Sequence, residues 1–323
     1  MALMISHIDK WLGAMLAGFS QFLAITTGRW SMFAIVGAAG NVGYSTSSAL
    51  RRAGVPVRAI LRDRTKAARL SDIGCEIATA DLQNAAALAM AIGDADAVQI
   101  IIPVSPLTKD PADGLRRSIE GLFEALTQAR PKQVLAISDY GAHVTDDIGM
   151  PSMFRDLEAR LAQLKTQLLV LRSAEHMHNW GRVIPMAVAS GILPTFQDPV
   201  DMAQPTISAH DLGLIAADLL LRPESGTGVQ VIHAEGPRRY SANDVAAVLS
   251  QLSSRVVRAR AVPRSQWQTT FERTMPSSLA SLLIKANDAK NKGGLVEIAP
   301  NAGVVRYGHT SLIDALRPFF LPE

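Results

Sequence analysis

From Phe33 to Leu171 short apolar runs alternate with stretches of helical periodicity, and this alternation constrains the fold more than any other feature. The runs are Phe33–Val36, Val57–Leu61, Glu76–Ala80, Val98–Ile102, Val134–Ile137 and Leu168–Leu171. Runs without polar alternation suit strands covered on both faces, as in a parallel sheet. Between them, Leu115, Ile119, Leu122, Phe123 and Leu126 form one apolar stripe of a helix. Leu157, Leu161 and Leu164 form another, leaving Arg155, Asp156, Glu158, Arg160 and Lys165 for solvent. Parallel strands need crossover helices, so the pattern predicts an α/β fold with an open, doubly wound parallel sheet.

Beyond Leu171 the rhythm changes. Gly, Pro and Met become frequent from Gly181 to Pro205, which predicts an irregular segment with at most one short helix. Ser208-Ala-His-Asp211 and Ser241-Ala-Asn-Asp244 each place a capping serine and a first-turn aspartate before an apolar run. Val245, Val248, Leu249 and Leu252 give the second of these helices its buried face, and Val229–His233 reads as a further strand. The expected organisation is an apolar leader at 1–31, a first domain at 32–175, and a smaller, partly discontinuous domain at 176–323 interleaved with the last sheet elements.

The leader stands apart. Trp11 to Gly28 carries no charge, and Lys10 and Arg29 flank it. Eighteen such residues sit at the lower edge of a bilayer span. An interfacial helix or anchor, a cleaved signal, and an upstream extension before a start at Met32 all remain open readings. Any membrane contact is expected through this segment alone.

Composition narrows the function classes. The 32 basic residues nearly balance 29 acidic ones, and the basic residues fall in scattered pairs such as Arg51-Arg52 and Arg238-Arg239. A sequence pI near 9.1 therefore does not signal a nucleic-acid surface. A single cysteine, Cys75, excludes a disulfide framework and a thiolate zinc cluster, and it fits a reducing, cytoplasmic setting.

The chemistry starts at the first strand-to-helix turn, Gly37-Ala-Ala39-Gly40-Asn41-Val42-Gly43. Glycines at this spacing let the backbone turn sharply, approach a pyrophosphate and bring the helix close to the sheet. Phosphates then meet the free N–H groups of the helix start. The motif follows a strand and opens a helix, the context that makes it a dinucleotide site. An acid at the end of the second strand would hold the ribose of NAD, but the chain reads Leu61-Arg62-Asp63-Arg64. Arg62 is placed to pair with a 2′-phosphate, so NADPH is expected to be preferred over NADH. Asp81 and Leu82 are expected near the adenine, and Ile101–Pro106, with Ile102 and Pro103, under the nicotinamide.

These stretches, with Ala80-Asp-Leu82, Gly93-Asp-Ala-Asp-Ala-Val98 and Leu169-Val-Leu-Arg172, resemble the NmrA-like family of atypical short-chain dehydrogenase/reductases. Ser208–Ala217, Glu235–Val245 and Val262–Trp267 are similar to the family's substrate-domain half. The resemblance runs from Met32 to the C-terminus. It implies an NADP-binding Rossmann domain with a small substrate or lid domain, and a function between quinone-type reductase and redox-sensing regulator.

Short-chain enzymes use Tyr-x-x-x-Lys to deliver a proton. Here Tyr44, Tyr140, Tyr240 and Tyr307 are followed four residues on by Ser48, Val144, Asp244 and Ser311, so no such pair exists. After the fifth strand, Ser138 and Tyr140 are expected at the nicotinamide pocket as substrate hydrogen-bonding groups, with His143 as proton donor; a strand end satisfying its own backbone is the other reading. His176, His178, Asn179 and Trp180 are expected to line the same cleft. Two histidines without a third ligand predict no metal. No G-x-S-x-G elbow supports a hydrolase.

Two functions follow. One is an NADPH-dependent reductase of a quinone or similar small electrophile, which accepts hydride without a strong general acid; a homodimer is compatible with it. The other is a non-catalytic NADP(H) sensor acting through a protein partner. Nucleotide-sugar epimerase chemistry and other carbonyl reductions stand behind both.

Overall fold

A computed structural model describes residues 32–104, 109–222, 228–300 and 302–321. The leader, and Ser105 and Pro106 of the expected nicotinamide segment, lie outside the described residues. In chain order the strands are β1 (Phe33–Val36), β2 (Val57–Leu61), β3 (Glu76–Thr79), β4 (Ala97–Ile100), β5 (Gln133–Asp139), β6 (Gln167–Ser173), β7 (Glu175–His176), β8 (Ile192–Thr195), β9 (Thr206–Ile207), β10 (Val229–Glu235), β11 (Arg258–Ala261) and β12 (Val304–Tyr307). Eight of them form one sheet in the order β12-β10-β6-β5-β4-β1-β2-β3. Every pairing in it is parallel. This is a Rossmann-like α/β fold.

Alternate residues of each central strand feed opposite cores. Phe33 and Ile35 of β1 join one apolar cluster, where Val42 and Leu50 of the Asn41–Arg52 helix meet Leu212, Ala216 and Leu220 of the Ala209–Leu221 helix. Ala34 and Val36 join the other, with Leu88, Ile119, Leu122 and Leu157 from the helices Ala85–Ile92, Pro111–Ala129 and Met150–Leu161. Burial on both faces is the physical reason these strands read as unbroken apolar runs.

The serine caps form as the sequence predicts. Ser208 accepts from the Asp211 backbone N–H, and Ser241 and Asp244 complete a reciprocal capping box. Asp211 does more than favour the helix start: its carboxylate also accepts from the backbone and hydroxyl of Thr310, tying the C-terminal segment to the sheet domain.

The segment after β6 is more ordered than its composition suggests. It holds a helix at Ile184–Ser190 and the strand β8, which pairs in parallel with β11. Two separate apolar clusters stabilise this half. Met177, Ile184, Leu193, Val245 and Leu249 make one; Trp267, Phe271, Ala280 and Ile284 make the other, with Phe196 stacked on Phe271 at 4.2 Å. β10 and β12 extend the main sheet from this C-terminal part of the chain. Among the described residues no helix is long and apolar enough to cross a membrane.

Candidate functional site

β1 lies between β4 and β2, so the connections on its two sides leave in opposite directions and open a crevice at the carboxyl ends of β1 and β4. Gly37 closes β1 with φ 79°, in the left-handed region; a Cβ there would lie 2.7 Å from Ile101 Cγ2 and 2.9 Å from the Ile101 carbonyl oxygen. At Gly43 a Cβ would stand 2.5 Å from the Gly37 carbonyl oxygen and 2.7 Å from Ala38 Cα. The Gly43 contacts are backbone atoms that cannot swing aside, so the helix sits against the turn only because residue 43 is glycine. The Asn41–Arg52 helix starts at Gly40 with no side-chain cap and no acid in its first turn. Its first N–H groups and its dipole are thus directed at the crevice without a built-in anion, the requirement for holding phosphate.

Gly37, Arg62, Asp81, Leu82 and Pro103 line one cleft together with Val104. Ala39 is half-buried in the turn, Asn41 is exposed at the helix start, and Val42 and Ile102 point into the core. Asp63, the acid beside Arg62, is engaged locally: its carboxylate accepts from Thr65 N at 3.0 Å and Thr65 Oγ1 at 2.7 Å, capping a short 3-10 turn. Those hydrogen bonds hold its carboxyl below the usual range. Arg69, which the sequence reading missed, lies over the Tyr44 ring at 4.3 Å and donates to the Ala39 carbonyl. Its sequence signal is weak, since it is one arginine in a short amphipathic helix.

Past the switch point, at the ends of β5, β6 and β10, the side chains are polar and buried. The Ser138 hydroxyl donates to Glu158, and Arg172 makes two bonds to the same carboxylate at 2.9 and 2.7 Å. Tyr140 is 1% exposed and meets His233 edge-on at 5.5 Å between centroids. Burial, then the charge of Glu235, pushes the phenol up from its ordinary value. Burial and then Arg172 lower His143, so its ring is neutral at physiological pH. Removing one member of the Arg172–Glu158 pair strands a buried charge. Arg172→Met is expected to destabilise the fold by about 3–5 kcal/mol in urea unfolding, and the double variant with Glu158→Leu to recover part of that loss.

The half-buried side chains of His176, His178, Asn179 and Trp180 follow β6. The two histidine rings lie 5.2 Å apart; burial, then His178, brings His176 down to about 4, and burial and Arg182 lower His178. Both are neutral near pH 7. No group of three metal-ligating side chains occurs among the described residues. Glu175 receives the Lys290 ammonium at 2.5 Å and a hydrogen bond from Asn179. Lys290, near the end of the Ser277–Lys292 helix, also interacts with the charge of Asp139 at the end of β5. Neither Asp139 nor Lys290 belongs to a local motif, and only the fold brings them together.

Residues 37–189 match the family model described as NAD(P)H-binding. The match takes in the glycine turn, Arg62, Asp81 and the ends of β4 to β6, in keeping with the resemblance to NmrA-like, atypical short-chain dehydrogenase/reductases. An NAD(P)H azoreductase of Xenophilus azovorans is 26% identical over 254 residues, covering 78% of this chain and 85% of the relative. The NADPH-dependent quinone oxidoreductase of Escherichia coli complexed with NADPH is 23% identical, with TM-score 0.72 over 90% of this chain and all of that one. A nucleoside-diphosphate-sugar epimerase of Staphylococcus aureus is 17% identical, with TM-score 0.71 over 88% of this chain and 99% of that one. The structural likenesses speak to the fold alone, which serves several chemistries.

Proposed function

We propose that the protein is an NADPH-dependent reductase of small electrophiles of the quinone or azo type. The observation that carries the cofactor half is at the end of β2, where Asp63 is turned onto Thr65 while Arg62 lines the cleft with Gly37 and Asp81. An arginine in that place, with its neighbouring acid occupied, suits a ribose 2′-phosphate. Gly37, Gly40 and Gly43 give the pyrophosphate its backbone approach, Ala39, Asn41 and Val42 supply the turn and helix start, and Leu82 and Asp81 border the adenine side. Ile102 backs Pro103 on the nicotinamide side. When bound, NADPH supplies a hydride.

The substrate half is supported by the azoreductase and quinone oxidoreductase relatives. His176, His178, Asn179 and Trp180 present neutral, partly apolar surfaces suited to a flat, uncharged acceptor. Ser138, Tyr140 and His143 stand behind the nicotinamide side as hydrogen-bonding wall groups, His143 in its neutral form. The named relatives are all enzymes, which favours turnover over a sensor role. The same reading suits a cytoplasmic protein, is compatible with a homodimer, and leaves any membrane contact to residues 1–31.

The test is steady-state NADPH oxidation by the full chain with a benzoquinone and with a neutral azo dye. Turnover with either is the expected result. Tight NADP(H) binding without turnover of any acceptor would establish the sensor instead.

A further inference from the structure

The proposed reduction needs a proton as well as a hydride, and the chain has no Tyr-x-x-x-Lys pair to deliver it. Asp139 ends β5 and lies in register with Ser173 of β6. Glu175 follows two residues later, in β7, and its charge acts on Asp139. Lys290 reaches these strand ends from the C-terminal half, with its ammonium on Glu175 at 2.5 Å. One cation therefore faces two carboxyl groups just beyond the switch point, on the side opposite Arg62. We propose that Asp139 is the proton donor to the reduced substrate, with Lys290 and Glu175 as the pair that positions it and sets its charge. This rests on the reductase reading above.

The groups around Asp139 explain why it, and not Glu175, holds the proton. Burial would raise Glu175, but the direct ammonium contact and the Asn179 hydrogen bond outweigh it and hold its carboxyl below the usual range. Burial raises Asp139 to about 7; Lys290 and the Tyr140 backbone N–H oppose the shift, and the negative charges of Glu175 and Glu158 add to it. Two carboxylates near one ammonium leave one net negative charge, and protonation of Asp139 removes it. Asp139 is half-buried at the carboxyl end of β5.

The balance is simple. Hydride addition oxidises NADPH to NADP⁺ and leaves the acceptor as an anion, on oxygen for a quinone and on nitrogen for an azo group. The Asp139 O–H bond breaks, an O–H or N–H bond forms on the product, and solvent restores the proton to the carboxylate. A quinol anion is a phenolate, whose conjugate acid, like tyrosine, titrates near roughly 10 and tolerates water. A nitrogen anion is far more basic and cannot form without a donor at hand. Dependence on Asp139 is therefore greater for azo acceptors.

The experiment compares wild type, Asp139→Asn, Lys290→Met and Glu175→Gln as full chains. Asp139→Asn is expected to lower azo turnover by about a hundredfold or more, the range of general acid catalysis, and quinone turnover by a distinctly smaller factor. In wild type, azo turnover falls as pH rises through about 7. Loss of the Lys290 cation moves that break up, loss of the Glu175 charge moves it down, and Asp139→Asn removes it. Equal losses on both acceptors, or a profile unmoved in all three variants, overturn the proposal. Carbon-13 carboxyl NMR of Asp139 reads the same proton without turnover. A titration in the ordinary aspartate range overturns the donor role even if the reductase stands. If the wild type reduces neither acceptor, the reductase reading fails, and the donor role falls with it whatever the NMR shows.

Discussion

Gly43→Val is expected to abolish dinucleotide binding while leaving most of the sheet intact. A Cβ at this position would meet the Gly37 carbonyl oxygen at 2.5 Å and Ala38 Cα at 2.7 Å, so the Asn41–Arg52 helix must move away from the turn. The cost in stability is of the overpacking kind, about 1–3 kcal/mol. The cost in binding is larger. Each N–H bond to a charged phosphate is worth about 1.5–3 kcal/mol, and displacing the helix start removes several at once. A loss of affinity of about a hundredfold or more follows from two such bonds. Circular dichroism separates the two effects. Gly303→Ala is the control, since a Cβ there meets nothing within 4 Å.

Arg62→Ala is expected to erase the choice between NADPH and NADH rather than binding itself. The guanidinium would form charge-assisted bonds to a 2′-phosphate that NADH lacks. Loss of about 1.5–3 kcal/mol weakens NADPH by roughly tenfold to a hundredfold. NADH affinity should change little, because its ribose hydroxyls carry no charge to pair. Asp63 does not take over the ribose in the variant while its carboxylate remains on Thr65. An Arg62→Ala protein that still prefers NADPH would move the specificity to another cation, with Arg69 the neighbour to test next.

The sheet was legible because its central strands are buried on both faces and therefore lack polar residues. Strands at the periphery were harder. β12 is four residues of a largely exposed edge, Val304-Val-Arg-Tyr307, with no apolar run to mark it. β8 is hidden by Pro194 within it and Gly191 before it, although Leu193 and Thr195 are buried. Turn chemistry was legible wherever one residue decides it, as with Gly37, Gly43, Ser208 and Ser241. The features proposed to hold the cofactor are likewise local, in one turn and one strand end.

The substrate side is not. Ser138 and Tyr140 stand where the alternation places them, but their surroundings are set by partners far along the chain. Glu158, Arg172 and His233 decide what those side chains touch. Asp139 and Lys290 carry no motif at all, and their meeting depends on the Ser277–Lys292 helix crossing back to the strand ends. Long-range pairing of this kind leaves no periodicity to read.

The most direct test of the account is calorimetric titration of the full chain with NADPH and with NADH at one fixed salt concentration. One-to-one binding of NADPH, about tenfold or more tighter than NADH, is the predicted result. Failure of both dinucleotides to bind would contradict the account at its base, leaving Gly37 to Gly43 as a tight turn with no ligand.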